Sequence, residues 1–395
     1  MQQPRETPRE STREFIAHYL LSPTLVLSIY ALATVIATLV KLAPGPFERN
    51  GFHYDPLQNF AIFRNSFFHL IHHQDLYARF DAEQWDLYRY SPTFALLFAP
   101  FAVLPYGLGA VLWNLLNAVA LFSAVRSLPI GVDRTKILVL WFVFLSMLNS
   151  VSNAQSNALV AGLMLGAWNA QERKNPALSS FLIALSVFVK LFGVFALVPC
   201  LLCQGRKKFL AYATAWGLIM AALPLIAVPP AQLLALYRGW YATVRAFSEA
   251  RLGLSVMGFL RAWFHLDIPQ TYVVLAGALI LVAVALRGPR RDPRFRLLTA
   301  ASVLIFVTIF NYAAESPTFV LAATGCALWY FYQARTPANL TLLIAVFLFT
   351  CLSSTDLVPR ALRREFLETY VVKAVPCILV WIKLQYDMLR FREVQ

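Results

Sequence analysis

Charge is scarce in this sequence. Only 14% of its 395 residues are charged, whereas soluble domains carry about 25%. Charged residues are missing altogether from the stretches 19–40, 90–125, 137–171 and 209–237. Apolar runs of this length are typical of membrane spans and are too long for elements of a soluble core. The sequence therefore predicts an all-α polytopic integral membrane protein and excludes a soluble one.

Sequence motifs for nucleotide binding, disulfide formation and metal binding are missing as well. No glycine-rich phosphate loop is present, which argues against a nucleotide-driven enzyme. The five cysteines all lie in or beside apolar segments, so we expect no disulfide framework. His69, His72 and His73 cluster without a cysteine or second acid at ligand spacing, so neither a metal nor another cofactor is expected. The net charge of +14 needs no nucleic acid, because polytopic proteins concentrate Lys and Arg on the cytoplasmic side.

Apolar patterning predicts about twelve transmembrane helices in a single membrane domain, 1–395. The predicted spans are 18–41, 107–126, 137–149, 157–171, 178–189, 191–203, 208–228, 271–287, 297–313, 317–334, 338–353 and 367–387. The Pro-bounded apolar segment 92–105 is interpreted as a re-entrant or interfacial piece.

Three of these spans, 137–149, 178–189 and 191–203, are short. As lone helices they would not cross the roughly 30 Å of hydrocarbon. Either they extend at their ends, or they stop at a cavity inside the protein, where irregular backbone is tolerated. If 178–203 were instead one span, the polarity of its neighbours would invert.

We expect the chain to lie in the cytoplasmic membrane with both termini inside. The short basic loops then also fall inside, as the positive-inside rule requires. Two large loops, 42–91 and 229–270, fall outside. In 55–75 apolar residues recur at three- and four-residue spacing, which predicts an interfacial helix. Loop 229–270 has the same character, and we interpret 42–91 as a catalytic loop.

Asp55 lies just after the first span, in the outer loop. A carboxylate near the bilayer surface is well placed to take a proton from a polar acceptor, as a general base must. Tyr54 and Gln58 stand beside it as candidate substrate-binding residues. From position alone, the alternative is a solvated loop acid or a helix cap.

Other polar residues on the same outer side are candidates for binding a sugar. The stretch 149–157 is a block of uncharged amides and hydroxyls between two apolar segments, and the alternative is a polar turn between helices. Tyrosines precede Pro92, and the alternative for them is an interfacial aromatic belt. A lone acid interrupts the apolar run near 315, and the alternative for it is a simple turn acid. The candidates are Tyr77, Tyr90, Asn153, Gln155, Asn157 and Glu315.

Lys190 is the only charged residue between Asn175 and Gly205. An ionisable residue in an apolar stretch is expensive and marks a functional candidate. A cation at this depth suits a lipid-linked phosphate, and the alternative is a snorkelling or structurally paired lysine. Arg245 and Arg251, in the second outer loop, are further candidates for binding that phosphate.

Together these residues resemble the GT-C type membrane glycosyltransferases, and most closely glycosyltransferase family 87, the polyprenyl-phosphate-mannose-dependent α-mannosyltransferases. The resemblance covers roughly 50–210. It rests on an early Asp, a tyrosine-rich stretch, a Gln-x-Asn block, a lysine after a short apolar helix and a basic end to the next helix. In this sequence these are Asp55, Tyr77, Tyr90-Ser91-Pro92, Trp113, Gln155-Ser156-Asn157, Lys190 and Arg206-Lys207-Lys208.

This sequence departs from the family pattern in several places. Ser91 stands where Pro is common, and Ala154 stands where Gly is common. Leu191-Phe192-Gly193 follows the lysine where a Pro is frequent, and the distal half has no His beyond His265.

The resemblance implies an inverting transfer of a hexose, with mannose as the expected sugar, from a polyprenyl-phosphate donor to a glycan or glycolipid acceptor. Asp55 would be the general base, and Lys190 or an arginine would stabilise the leaving phosphate. A transporter or flippase for a lipid-linked saccharide would fit the hydropathy and Lys190, but inverted repeats are not visible. A structural assembly factor would leave Asp55 and Gln155 unexplained.

Overall fold

The helices run through the whole of the computed structural model, which describes residues 20–250, 252–355 and 357–391. In the first half, up to Cys203, they are α1 (Pro23–Leu42), α2 (Gln58–Ile71), α3 (Pro92–Leu97), α4 (Ala99–Ala102), α5 (Tyr106–Arg126), α6 (Asp133–Ser152), α7 (Asn157–Glu172), α8 (Pro176–Val189), a 3-10 segment (Leu191–Ala196) and α9 (Leu197–Leu201).

The second half continues in the same way. Its helices are α10 (Arg206–Ala222), a 3-10 turn (Leu223–Ile226), α11 (Pro230–Ala250), α12 (Val256–Phe264), α13 (Gln270–Arg287), α14 (Pro293–Ile309), a 3-10 turn (Ser316–Thr318), α15 (Phe319–Phe331), α16 (Pro337–Ala345), a π segment (Val346–Cys351), a 3-10 turn (Leu352–Ser354), α17 (Arg360–Leu362), a second π segment (Arg363–Glu368) and α18 (Val375–Leu389).

The all-α polytopic prediction is confirmed. Each of the twelve predicted spans contains a helical segment of the described chain. Among the described residues, six helices are long and apolar enough to cross a membrane by length and composition. They are α1, α5, α6, Arg206–Ile226, α13 and Pro337–Ser354. The described strands are β1 (Phe47–Arg49) and β2 (Phe52–Tyr54), a small antiparallel hairpin that the sequence patterning did not predict.

Burial separates central helices from peripheral ones. In α7, α14 and α15 nearly every side chain is buried, as expected of helices that are hydrophobic all round and lie in the centre of a bundle. In α1 and α13, by contrast, 22% of the most apolar window is buried. Exposed apolar side chains on these two helices fit contact with lipid.

The short predicted spans 178–189 and 191–203 form two arms of one antiparallel hairpin. Ser186 packs against Gly193 near the tip, and the Ser179 hydroxyl lies 3.7 Å from the Cys200 sulfur near the base. The α8 arm has 14 residues and is therefore about 21 Å long. That length is less than the hydrocarbon thickness, and the Lys190 side chain at the tip lies against Asn157, Tyr90 and Phe192 inside the protein.

Two other predicted segments differ from the structure. The predicted span 367–387 begins as an α-helix only at Val375, because Val371 adopts a left-handed conformation with φ +53° and interrupts the helix. The predicted interfacial helix in 55–75 is α2, and most of its apolar side chains are buried. The expectation that both termini lie inside concerns residues 1–19 and 392–395, which are outside the described residues.

A bidentate ion pair joins two of the central helices. Arg296 of α14 donates to both carboxylate oxygens of Glu172 at the end of α7, at 2.5 and 2.6 Å. The two side chains are 12% and 9% exposed. Removing one partner of such a pair leaves an uncompensated buried charge, whereas replacing both is often neutral.

We therefore expect Arg296→Leu to lower the free energy of unfolding by about 3–5 kcal/mol. The double variant Glu172→Leu/Arg296→Leu should recover most of that loss. Thermal unfolding of the detergent-purified proteins measures both. A double variant no more stable than Arg296→Leu would contradict this account of the pair.

Candidate functional site

Asp55 lies in the turn between β2 and α2. Its Oδ1 accepts a hydrogen bond from the Leu57 N–H at 2.6 Å, and its own N–H donates to Gln58 Oε1 at 3.3 Å. The first bond holds the carboxylate near the start of α2, where the helix dipole favours a negative charge, and the second holds the Asp55 backbone. Asp55 also interacts electrostatically with the phenol of Tyr106, the first residue of α5. The carboxylate is therefore held in one orientation.

The loop 153–156, between α6 and α7, lies against the start of α2. Asn59 Nδ2 donates to the Asn153 carbonyl at 2.9 Å, and Trp113 Nε1 donates to the Ala154 carbonyl at 2.9 Å. Asn153 in turn donates from its amide to the Asn149 carbonyl at 2.8 Å. These bonds connect the segment that carries Asp55 to the polar block predicted from the sequence.

The loop 153–156 has the geometry of a Schellman cap. Ala154 N–H donates to Val151 O at 2.9 Å, and Gln155 N–H donates to Ser150 O at 3.1 Å. Ala154 occupies the left-handed position of this cap, with φ +49°. Glycine is the usual residue there, which explains physically why Gly is common at this place in the pattern described above.

Lys190 lies at the tip of the hairpin, directly beside the predicted amides. Its Nζ donates to Asn157 Oδ1 at 2.6 Å and lies 3.5 Å from Gln155 Oε1. The rings of Tyr90 and Phe192 face the ammonium at 5.7 and 5.8 Å. The backbone of Lys190 is extended, with φ −146° and ψ 123°, so α8 ends at Val189, directly before this residue.

Glu315 belongs to the same cluster. Its carboxylate lies within electrostatic range of both Lys190 and Tyr90. Burial raises the pKa of Tyr90, and the negative charge of Glu315 adds to that rise. The Tyr90 phenol therefore stays protonated near neutral pH. Thus the structure brings together Tyr90, Gln155, Asn157, Lys190 and Glu315.

The remaining tyrosine candidates take part in packing. The Tyr77 hydroxyl donates to the Tyr90 carbonyl at 3.0 Å, and the Tyr77 ring lies against Gly239 of α11. Burial raises the pKa of Tyr77, so it too is a neutral donor. Tyr54 stacks between Phe47 and Trp85, with ring centroids 5.4 and 5.9 Å away.

Of the two arginine candidates, Arg245 lies in the C-terminal part of α11. The Arg245 carbonyl accepts a hydrogen bond from the Ser248 hydroxyl at 2.7 Å. Arg251 lies outside the described residues.

The sequence patterning missed several residues that extend this cluster. Ser316 accepts from Asn149 Nδ2 at 3.2 Å and from Lys373 Nζ at 2.7 Å, and Ser354 lies 3.1 Å from Ser316. Lys373 was detectable as an ionisable residue within a predicted span, by the reasoning applied to Lys190. No group of three metal-ligating side chains occurs in the described part of the chain.

The chemistry available at the cluster is that of binding polyols and anions. Amide and hydroxyl groups can pair with sugar hydroxyls, and an ammonium with three N–H donors can pair with phosphate oxygens. A carboxylate such as that of Asp55 can accept a proton.

Comparison with known proteins identifies one family and similar solved structures. The model of Glycosyltransferase family 87 matches residues 88–313, which is more than half of the chain. The matched range includes Tyr90, Gln155, Asn157 and Lys190, but Asp55 and Glu315 lie outside it. No curated protein sequence matches the chain.

Among solved structures, the chain is similar to the crystal structure of ArnT from Cupriavidus metallidurans bound to undecaprenyl phosphate. The TM-score is 0.38 at 13% sequence identity. The similarity covers 92% of this chain and 77% of that one.

Gly193 closes the turn that follows Lys190, and a side chain does not fit there. A Cβ at this position would lie 2.4 Å from Ser186 Oγ and 2.7 Å from the Ser186 backbone carbon. We expect Gly193→Ala to lower the free energy of unfolding by about 1–3 kcal/mol, since the arms must separate. The matched control is Gly217→Ala in α10, where no atom lies within 4 Å of the added Cβ. Equal thermal unfolding midpoints for the two variants would contradict this prediction.

Proposed function

The chain belongs to glycosyltransferase family 87, and we propose that it transfers a hexose from a polyprenyl-phosphate donor to a glycan or glycolipid acceptor. Mannose is the proposed sugar. The observation that carries the proposal is the Lys190 ammonium at the tip of an internal hairpin, hydrogen bonded to Asn157 and within electrostatic range of Glu315. A membrane protein retains an internal cation of this kind for a ligand or a proton.

The donor phosphate is proposed to bind at Lys190. An ammonium has three N–H donors, and the oxygens of Asn157 and Gln155 take two. The third remains for a phosphate oxygen. Tyr90 and Phe192 limit access of water to the ammonium, which strengthens a charged hydrogen bond. The apolar helices around the hairpin offer a surface for the polyprenyl chain.

The sugar is proposed to lie between Lys190 and Asp55, along loop 153–156. The Asn153 amide and the Asn157 and Gln155 side chains supply donors and acceptors for its hydroxyls. Glu315 accepts from a further hydroxyl. The tyrosines Tyr77 and Tyr90 support this position, Tyr77 by holding the Tyr90 backbone.

Asp55 is proposed as the general base of an inverting displacement. Its carboxylate takes the proton of an acceptor hydroxyl, and that oxygen attacks the anomeric carbon. The bond between the anomeric carbon and the phosphate oxygen breaks, and the polyprenyl phosphate leaves with the electron pair. What supports the role is the hydrogen bond from the Leu57 N–H to the carboxylate, together with the bond by which Gln58 holds the Asp55 backbone.

The leaving phosphate gains a negative charge in the transition state, from diester to monoester. Lys190 is proposed to stabilise that charge, and a fixed cation does so without reorganisation. Arg245 and Arg251 of the second outer loop are proposed to assist. The reaction is proposed to take place at the outer face of the cytoplasmic membrane, where the lipid and the acceptor meet.

Asp55→Asn should reduce turnover by about 10²–10⁴-fold, the usual contribution of a general base. The amide oxygen still accepts from Leu57, so folding and donor binding should persist. Transfer of radiolabelled hexose from a polyprenyl-phosphate donor to membrane acceptors measures turnover. The control is Asp81→Asn, an acid of the same loop that pairs with Arg79 at 3.0 Å. Near-normal transfer by folded Asp55→Asn would remove Asp55 from the mechanism, and movement of intact donor across the membrane without transfer would favour a flippase.

Lys190→Met should weaken binding of the polyprenyl-phosphate sugar by about tenfold to hundredfold, as expected for a charge-assisted hydrogen bond. Methionine keeps an unbranched apolar stem next to Tyr90 and Phe192 but lacks the ammonium. Lys190→Arg should retain part of the affinity. Equilibrium binding to detergent-purified protein measures the effect, with the exposed Lys208→Met as control. Unchanged affinity in Lys190→Met would sink the assignment of the donor phosphate to this residue.

A further inference from the structure

Lys373 is a second cation inside the helical bundle. Its side chain is 5% exposed and lies in the break between the π segment Arg363–Glu368 and α18. Its Nζ donates to Ser316 Oγ at 2.7 Å and to Ser354 Oγ. The ring of Phe319 lies 5.4 Å from the ammonium. Two hydroxyls and an aromatic face therefore surround the charge.

The charge of Lys373 is not balanced by a carboxylate in direct contact. Every ion pair in the described part of the chain joins other residues. Serine hydroxyls solvate an ammonium but do not neutralise it. The Glu368 carboxylate acts on Lys373 electrostatically but forms no ion pair with it, and a buried charge without a directly paired counter-charge is costly to fold. A ligand that supplies the missing negative charge would account for its retention.

The backbone around Lys373 is held in an uncommon conformation. Val371 N–H donates to Glu368 O and Val372 N–H to Leu367 O, which closes the preceding turn with Val371 in the left-handed position, φ +53°. A β-branched residue is a clear outlier there. The Thr350 hydroxyl, in the π segment Val346–Cys351, donates to the Lys373 carbonyl at 2.8 Å. Such irregular segments are frequent at functional sites.

The Lys373 cluster adjoins the candidate site. Ser316 follows Glu315 directly and accepts from Asn149, whose carbonyl accepts from Asn153. Ser316 and Ser354 are partly exposed, whereas Lys373 is buried behind them. The two hydroxyls therefore stand between the ammonium and the surroundings of Glu315. Each hydroxyl accepts from Lys373 and has one proton to donate. The bonds those protons make now are long, from Ser354 to the Thr350 carbonyl at 3.4 Å and between Ser316 and Ser354 at 3.1 Å, and a phosphate oxygen can replace them.

We propose that Lys373, Ser316 and Ser354 form a second anion-binding site, which takes a phosphate group of a lipid substrate. The proposal rests on the proposed function, because it assigns the cluster to that same site. The phosphate oxygens accept from the two serine hydroxyls, and Lys373 behind them supplies the counter-charge.

The phosphate could come from either of two lipids. If the donor supplies it, Lys190 and Lys373 share one phosphate, and two cations face the dianion that forms when the sugar leaves. If a phospholipid acceptor supplies it, the two lysines hold different lipids, and Lys373 fixes the acceptor near Glu315. In both cases the serine hydroxyls donate hydrogen bonds to phosphate oxygens.

Binding measurements on the full-length, detergent-purified protein test the proposal. The variants are Lys373→Met, which removes the charge and keeps the stem, and Ser316→Ala/Ser354→Ala, which keeps the charge and removes the hydroxyls. Lys208→Met, an exposed lysine outside the cluster, is the control. The probes are undecaprenyl phosphate and a short-chain phosphatidylglycerol. We expect Lys373→Met to lose about tenfold to hundredfold in affinity for one probe.

The pattern of losses identifies the source of the phosphate. One shared phosphate is supported if Lys373→Met lowers the affinity for undecaprenyl phosphate and this loss is non-additive with the loss caused by Lys190→Met. Loss for phosphatidylglycerol alone supports a second lipid. If Lys373→Met does not fold, the serine double variant decides, with a loss of several-fold expected.

Affinities for both probes within twofold of the unsubstituted protein, in a folded variant, would overturn the proposal. That result would make Lys373 a structural residue whose replacement changes only the unfolding midpoint. The test needs no sugar transfer, so a failure of the proposed transferase reaction would be seen separately, in the turnover of Asp55→Asn.

Discussion

The hydrogen bond from Lys190 to Asn157 is the interaction on which the candidate site depends. It joins the tip of a hairpin that ends inside the protein to the first residue of α7. Water is scarce at such a place, so the ammonium must be satisfied by the protein or by a ligand. The extended backbone of Lys190, the tight turn at Gly193 and the cap at Ala154 all serve to bring these two side chains together.

The helical architecture could be predicted because charge-free runs of this length are typical of membrane-spanning helices. Lys190 was identifiable for the same reason, as a charge in an apolar stretch, and in the structure it contacts Gln155 and Asn157, while its role at the donor phosphate stays a prediction. The family prediction is confirmed by the matched residues 88–313. The roles of Asp55, Glu315 and the arginines stay predictions.

The rest could not be read from the sequence because it depends on contacts between distant residues. Lys373 meets Ser316 and Ser354 only after three helical segments have packed, and neither serine carries a motif. The left-handed conformation of Val371 contradicts the preference of a β-branched residue, so local propensity predicts a continuous helix there. The stacking of Tyr54 between Phe47 and Trp85 depends on a hairpin with no strong turn signal.

The order of the partners along the chain has a consequence for biogenesis. Gln155 and Asn157 precede Lys190, and Ser316 and Ser354 precede Lys373. Arg296 likewise follows its partner Glu172. During synthesis from the N-terminus, each of these cations therefore emerges from the ribosome after the oxygens that receive it. During insertion into the membrane, the ammonium or guanidinium of each pair is then not exposed to lipid before the segment that carries its partner has been synthesised.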